Sequence, residues 1–457
     1  MLLIWEQLGA RWELEMAQVP MQPPNLGDVL HDLEVEAFER IFSSRVKALQ
    51  NGQYRHWDEI RFRPPPEGLS LEEWWAAIKF SRQREFHALP LTNASKEPFQ
   101  YMMPDKAWER VHKVDQKLGG RITLSEEVAN PAAQKRYLVS SLIEEAITSS
   151  QLEGASTSKQ VAKEMIRTGR PPRDKSERMI LNNYHAMNFV REHRKERLTP
   201  DLVQEIHRIV TDRTLDNPDE AGRLQRPEDD RVQVRSPTGE LLHDPPPADQ
   251  LPRRLRKLCR FANGQEIDTF LHPVVRAIIV HFWLSYDHPF SDGNGRTARA
   301  LFYWTMLSQG YWLAEYLSIS KILQQSRSHY DRSFLYTETD ERDVTYFVMH
   351  QLQVIMKAIN DLEGYLTRKM AEVKRTEKLI KGTDLNHRQI ALLTHALRNP
   401  GQAYTVKSHQ ESNKIAAETA RLDLNGLEKR GLLKRQRIGK AYGFVPLPDL
   451  AERLEEA

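Results

Sequence analysis

The chain has 457 residues, of which 40% are hydrophobic and 28% are charged, and its formal net charge at pH 7 is +3. This length suffices for two or three domains, and the nearly balanced charge excludes a protein whose whole surface attracts nucleic acid. The single cysteine, Cys259, excludes a disulfide framework within the chain and fits a reducing compartment.

The start of the chain, residues 1–16, has apolar side chains but lacks the basic first segment of a signal peptide. No run of about 18 uninterrupted apolar residues follows, which argues against a membrane-spanning helix. We therefore expect a cytoplasmic protein with no membrane partner.

Residues 1–100 form the first predicted section, a mixed N-terminal region broken by proline clusters. Within it, Ser70 with Glu73 three residues later has the spacing of a capping box and predicts the start of a helix. Trp74 and Trp75 lie on this helix, and we expect them to pack against the core or another domain and to carry no chemistry.

Residues 101–375 form the second predicted section, which is mostly helical because apolar residues recur at three- and four-residue spacing. One predicted helix ends in SSQLEG. Ser149 and Glu153 are four residues apart, so they face the same way on a helix that Gly154 terminates. A carboxylate at the C-terminal end of a helix is unfavourable for the helix dipole, so Glu153 is unusual there.

The exception to this helical pattern is 232–243. Two short apolar runs flank the turn residues Ser236 to Gly239, which predicts a β-hairpin inside an otherwise helical domain.

The segment HPFSDGNGRTAR, residues 288–299, lies between two predicted helices. Gly293, Asn294 and Gly295 open the second helix, where free backbone N–H groups and the positive end of the dipole favour an anion such as a polyphosphate. Glycine is needed there because a side chain would bar the close approach of phosphate.

Four charged or titratable side chains accompany this loop. Asp292 is suited to hold Mg²⁺ on phosphate oxygens. Arg296 and Arg299 are three residues apart, share one helical face and are expected to reach the phosphates. His288 is placed to take a proton from an attacking hydroxyl. From these residues alone, a phosphate site and a purely structural turn both stay open.

Residues 384–446 hold 11 Lys and Arg and 5 Asp and Glu, a local charge of +6 (11 − 5). The pattern predicts three helices followed by two strands around Gly439 and Lys440. This order resembles a winged helix over 384–450, with Lys414 and Arg421 near its recognition helix and Arg435, Arg437 and Lys440 on its wing. Such a face contacts DNA or another protein, or is only solvated.

HPFSDGNGRTAR also resembles the signature of the Fic family of protein-modifying enzymes, H-x-F-x-[DE]-G-N-G-R-x-x-R, at every fixed position. The likeness extends through 101–350. It implies a mainly α protein with a Fic-type helical core, a short β-hairpin flap, a mixed N-terminal region and the C-terminal winged helix. The implied domains are therefore 1–100, 101–375 with an inhibitory helix at 133–154, and 384–450.

The resemblance implies transfer of AMP from ATP to a Ser, Thr or Tyr hydroxyl of a target protein. It makes His288 the general base and Asp292 the Mg²⁺ ligand. The nucleotide-binding residues it implies are Gly293, Asn294, Gly295, Arg296, Arg299 for the γ-phosphate, and Tyr330 beside adenine. Val232, Gln233 and Val234 would form the flap that docks the target.

SSQLEG resembles the family's inhibitory motif, [ST]-x-x-x-E-[GN], carried here by Ser149, Glu153 and Gly154. The resemblance implies that Glu153 pairs with Arg299 and occupies the place that the γ-phosphate needs. Two functions follow as hypotheses: an autoinhibited adenylyltransferase, or a DNA-binding regulator whose pocket senses nucleotide or removes AMP from modified proteins. A homodimer is compatible with either.

Overall fold

The computed structural model describes residues 19–31, 34–119, 131–236, 238–267, 269–381, 384–398, 402–438, 441–447 and 449–456. The chain divides into two compact units, of which the first extends to Asp361 and the second begins at Leu362. The first unit contains the N-terminal region and most of the predicted Fic section, so a boundary at residue 100 stays a prediction. Within the described ranges, each helix is too short or too polar to cross a bilayer.

The N-terminal part of the first unit combines short helices with one hairpin. Its elements are α1 (Leu26–His31), α2 (Val35–Ser43), α3 (Trp57–Ile60), α4 (Leu71–Gln83), β1 (His87–Thr92) and β2 (Pro98–Tyr101), with the two strands antiparallel. The capping box predicted at the start of α4 is confirmed, since the Glu73 N–H donates to the Ser70 hydroxyl and the Ser70 N–H donates to the Glu73 carboxylate. Trp74 and Trp75 are buried, which confirms their packing role. Residues 1–16 lie outside the described residues.

The rest of the first unit is helical. Its helices are α5 (Asp105–Leu118), α6 (Pro131–Leu152), α7 (Lys159–Thr168), α8 (Lys175–Glu192), α9 (Pro200–Thr211), α10 (Leu251–Ala262), α11 (Pro273–Asp287), α12 (Asn294–Ser308), α13 (Ile319–Gln325) and α14 (Arg327–Thr339). A further helix, α15 (Thr345–Lys381), begins in the first unit, and its residues from Leu362 onward belong to the second. Helix α12 packs against α6, α8, α9 and α11. Its continuous apolar run, ALFYWTML, has no polar stripe because neighbours bury it on every side.

The predicted hairpin is present and shorter than expected. Its strands are β3 (Val234–Arg235) and β4 (Leu241–His243), paired antiparallel with Val234 opposite His243. Of the three residues predicted to form the flap edge, only Val234 lies in a strand. Val232 and Gln233 precede it, and the Gln233 side-chain amide donates to Asp244 Oδ1 at 2.9 Å.

The second unit has the predicted order of helices and strands. It contains α16 (His387–Arg398), α17 (Val406–Asn413), α18 (Ala417–Lys429), β5 (Leu433–Ile438), β6 (Ala441–Pro446) and α19 (Leu450–Glu456), and β5 and β6 pair antiparallel. Lys414 lies outside the recognition helix, because it ends α17 in a left-handed conformation with φ 51°. Gly439 and Lys440 lie outside the described residues, and the winged-helix assignment stays a prediction.

Candidate active site

A cavity in the first unit brings together seven of the fourteen site residues predicted from sequence. Its walls come from the end of α6, the hairpin, the turn between α11 and α12, and one face of α14. The lining residues that matter for chemistry are Glu153, His288, Asn294, Gly295, Arg299, Arg327, Tyr330 and Asp331.

His288 follows the last residue of α11 and adopts a left-handed conformation, φ 43°, with its backbone N–H donating to the Leu284 carbonyl. Its Nδ1 lies 3.4 Å from the Ser285 carbonyl oxygen. Burial, followed by the nearby His243, lowers the pKa of His288 to about 4. The ring is therefore neutral at pH 7, and an Nδ1–H directed at Ser285 leaves the lone pair of Nε2 free to accept a proton.

The loop after His288 is held by its own side chains. Phe290 is fully buried and stacks on His207 with ring centroids 3.7 Å apart. The Asn294 amide accepts from the Phe290 N–H at 3.0 Å and donates to the Phe290 carbonyl at 2.8 Å. The Asn294 side chain therefore closes the loop. Only the backbone N–H of Asn294, at the start of α12, is left to bind an anion.

A side chain is excluded at Gly293 and at Gly295 for different steric reasons. Gly293 caps α12 with φ 81°, a conformation that side chains rarely adopt, and a Cβ there would collide with Thr211. Gly295 lies in the first turn of α12, and a Cβ there would overlap the carboxylate of Glu153. The Glu153 carboxylate thus lies against the first turn of α12, where a helix N-terminus favours a negative charge.

The two arginines of the loop point to different places. Arg296 is fully buried, where it donates to the Val210 carbonyl at 3.2 Å and to Asp292 Oδ2 at 3.4 Å. Arg299 lines the cavity and Arg296 does not. The two guanidinium groups therefore have different surroundings, because Arg296 faces α9, and the contact of either group with phosphate stays a prediction.

Asp292 is placed at the edge of the loop with 49% of its side chain exposed. Its Oδ1 accepts from the Gly293 N–H at 2.5 Å. Among the described residues, no group of three or more His, Cys, Asp or Glu side chains is arranged so that it could hold a metal ion. One accessible carboxylate beside an anion site fits Mg²⁺ bound through substrate phosphates, since this ion usually takes one or two protein carboxylates and completes its shell elsewhere.

Glu153 makes the contact that the inhibitory motif implies. Arg299 Nη2 donates to Glu153 Oε1 at 2.7 Å, while Arg299 Nε and Nη2 donate to the Ser149 hydroxyl and carbonyl at 2.8 Å and 2.9 Å. Gly154 follows with φ 93°. Burial acts to raise the pKa of Glu153, but the charges of Arg299 and Arg296 outweigh it and hold this pKa below its ordinary value. Glu153 is therefore an anion at neutral pH.

Tyr330 lies in α14 and faces the cavity. Its hydroxyl is 2.9 Å from His281 Nε2, and the side chain is buried. Asp331 and Arg327 come from the same face of α14 and form an ion pair of 3.6 Å. The ring is thus part of the cavity wall, and its contact with adenine stays a prediction.

Residues 197–306 match the model of the Fic/DOC family, and the match includes the whole loop from His288 to Arg299. This part of the chain is therefore similar to the Fic/DOC family. The matched range does not include the inhibitory motif at 149–154 or Tyr330, so those assignments rest on the sequence resemblance and the geometry above.

Similar proteins agree with a Fic domain. The protein adenylyltransferase Fic of Nematostella vectensis is 27% identical over 209 residues, 44% of this chain and 45% of that protein. The protein adenylyltransferase Fic of Drosophila erecta is 33% identical over 134 residues, 29% of this chain and 25% of that protein. This chain thus spans less than half the length of either relative.

A crystal structure of a Fic family protein from Desulfovibrio desulfuricans G20 has a TM-score of 0.52 to this chain at 18% identity. The alignment covers 76% of this chain and 98% of that one. At this identity the likeness supports the Fic fold and no finer assignment.

Three side chains that contact the backbone in or beside the loop after His288 were not predicted from the sequence. His207 contacts the Asp292 carbonyl through Nε2 at 2.8 Å and accepts from the Gly222 N–H through Nδ1 at 2.9 Å. The position of this histidine on the apolar face of α9 is the one sequence feature that could have indicated its role. Arg231 and His243 flank the hairpin and bond the backbone around His288, which no local pattern indicates.

Proposed function

We propose that this protein is an autoinhibited adenylyltransferase that moves AMP from ATP to a Ser, Thr or Tyr hydroxyl of a target protein. The observation that carries the proposal is that Glu153 holds Arg299 and covers Gly295 in the cavity that also contains His288. A carboxylate bound by an arginine over a helix N-terminus occupies a phosphate position. The names of the similar adenylyltransferases support ATP as the source of that phosphate.

The chemistry uses one proton acceptor and several fixed positive groups. His288 Nε2 takes the proton of the target hydroxyl, whose oxygen attacks the α-phosphorus of ATP. A new O–P bond forms, the bond from the α-phosphorus to the bridging oxygen breaks, and pyrophosphate leaves. The backbone at the start of α12 and Arg299 hold the phosphates in line for this attack.

Asp292 would hold Mg²⁺ against the phosphates, and the ion would supply charge neutralisation there. The residues of this chain bind and align the nucleotide around it.

The target docks on the hairpin in this proposal. In the two-stranded sheet of β3 and β4, each strand keeps one edge that its partner does not use. An extended segment of the target adds to such an edge through backbone hydrogen bonds, which brings its hydroxyl toward His288. Val234 and the residues before it supply that edge.

Incubation of the full chain with α-labelled ATP and Mg²⁺ tests the proposal. We expect weak labelling of the wild-type protein and strong labelling after Glu153→Gly. Absence of labelling from both proteins, with ATP bound in both, would rule out AMP transfer onto the protein itself and would weaken the proposed activity.

A second proposal concerns the second unit. On β5, Lys434, Arg435 and Arg437 are exposed, and Arg435 lies over the ring of the exposed Tyr442 at 4.5 Å. A basic strand with an exposed aromatic ring favours contact with nucleic acid. We propose that this strand binds DNA. Such binding would determine where the enzyme is located or which target protein it meets.

A further inference from the structure

The backbone that carries His288 is the end of a helix, and helix ends leave carbonyl groups without intrahelical partners. Helix α11 ends at Asp287, and His288 turns the chain through a left-handed conformation. The carbonyls of Tyr286, Asp287 and His288 therefore need donors from elsewhere. Two residues of the hairpin segment supply all three.

Arg231 precedes β3 and binds two of these carbonyls. Its Nη1 donates to the His288 oxygen at 2.7 Å and its Nη2 to the Asp287 oxygen at 2.6 Å. The Nε of the same group donates to the Pro246 carbonyl at 2.9 Å, and Gln225 Oε1 accepts a further bond from Nη1. One planar guanidinium thus joins the start and the end of the hairpin segment to the His288 turn.

His243 in β4 binds the third carbonyl. Its Nε2 lies 2.7 Å from the Tyr286 oxygen, and its Nδ1 lies 2.7 Å from Glu338 Oε2 on α14. The ring is buried, so its two nitrogens are fixed between a helix end and a carboxylate. The orientation of the His243 ring is therefore set by both contacts.

The side chain of Asp287 is held separately. Arg254 pairs with Asp287 Oδ1 at 2.7 Å, and the Trp283 indole donates to Oδ2 at 3.0 Å. Arg254 thus links the end of α11 to α10 through a side chain, whereas Trp283 lies on α11 itself. Arg231 and His243 bind the backbone instead, and among the described residues their hydrogen bonds join the hairpin segment to it.

We infer that Arg231 and His243 are positioning residues that set the place of the His288 ring, so that the hairpin which docks the target also aligns the base. The inference rests on the proposed AMP transfer. Arg231 does not line the nucleotide cavity, so its loss moves the base and leaves ATP binding intact. A displacement of about 1 Å at a reacting group costs about 100-fold in rate.

Kinetics of the full chain carrying Glu153→Gly test the inference. Arg231→Lys keeps the charge and loses the planar fork, and Arg226→Lys is the matched control, since Arg226 is an exposed arginine of the same segment that makes no bond to α11. We expect Arg231→Lys and His243→Ala to lower kcat about 10- to 100-fold. KM for ATP should stay within about twofold of the parent in Arg231→Lys; His243 lines the cavity, so the KM of His243→Ala is not used as a measure of positioning. The control should match the parent.

The histidine NMR spectrum gives a second measurement that needs no activity. The His288 ring signal, assigned by its loss in His288→Ala, should move or broaden in Arg231→Lys and stay in place in Arg226→Lys. An unchanged kcat with an unchanged His288 signal in both Arg231→Lys and His243→Ala would overturn the inference. A raised KM for ATP with constant kcat in Arg231→Lys would also overturn it. If one variant unfolds, as thermal melting would reveal, the other decides.

Failure of the proposed function has a different outcome. In that case the Glu153→Gly parent transfers no AMP, while the His288 signal still responds to Arg231→Lys.

Discussion

Replacement of Glu153 by glycine should convert the protein from a weak to an efficient AMP transferase. Glu153 follows the last residue of α6, so glycine there does not interrupt the helix. The change removes the anion over Gly295 and frees one donor of Arg299, which Ser149 continues to hold in place. The γ-phosphate of ATP can then take the vacated position.

The contact itself gives the expected size of the effect. Arg299 Nη2 and Glu153 Oε1 are 2.7 Å apart, with 2% and 28% of the two side chains exposed. A hydrogen bond to a charged group contributes about 1.5–3 kcal/mol, and about 1.4 kcal/mol corresponds to a factor of ten. We therefore expect productive ATP alignment, and the rate of AMP transfer, to rise about 10- to 100-fold.

The assay is initial-rate labelling with α-labelled ATP, with ATP binding measured separately by calorimetry. Glu144→Gln is a suitable control, because Glu144 lies on the same helix and pairs with Lys159 and Lys163 instead of Arg299. Arg299→Ala should cancel the gain from Glu153→Gly, so the two changes must be non-additive. Equal rates for wild type and Glu153→Gly, with ATP bound to both, would refute inhibition by Glu153.

Four further predictions concern other parts of the molecule. His288→Ala should abolish transfer and leave ATP binding within about twofold on calorimetry, since the base acts on the hydroxyl and the loop on phosphate; near wild-type labelling would exclude this base. Because the pKa of His288 is lowered to about 4, activity of the Glu153→Gly protein should stay level from pH 8 to pH 6 and fall only as pH approaches that value. A midpoint at the ordinary histidine pKa would contradict a neutral, buried ring. Asp292→Ala should raise the Mg²⁺ concentration needed for ATP binding about tenfold or more, in a titration where an unchanged requirement would count against this ligand. Duplex DNA should bind in a mobility-shift assay at low salt, weaken steeply with added salt, and weaken further in Arg435→Ala combined with Arg437→Ala; no shift at low salt would leave a protein-contact module.

The parts of the site that follow from sequence are those encoded by neighbouring residues. The segment from His288 to Arg299 is contiguous, and a glycine-rich turn before an apolar run specifies a helix N-terminus locally. The capping box at Ser70 is local in the same way. The Glu153–Arg299 pair joins residues far apart in the chain, and it could be expected only because the motifs resemble those of a known family.

The remaining features depend on packing that no local pattern contains. Spacing alone put Arg296 and Arg299 on one helical face, but α12 is surrounded by other helices. A rotation of about 60° between the two positions therefore separates their surroundings. Arg231 and His243 donate to backbone carbonyl groups at the end of α11. Every residue has such a carbonyl, so the sequence does not indicate which distant side chain will bind it.

The overlap between a side chain at position 295 and the Glu153 carboxylate restricts the positions at which a mutation can activate the proposed enzyme. A residue larger than glycine at 295 would expel the carboxylate and, in the same step, narrow the space for the nucleotide. Under the proposed autoinhibition, we therefore expect substitutions at position 153, and not at position 295, to raise activity. Spontaneous activating variants selected in the laboratory should accordingly cluster at the end of α6 and be missing from the glycine loop.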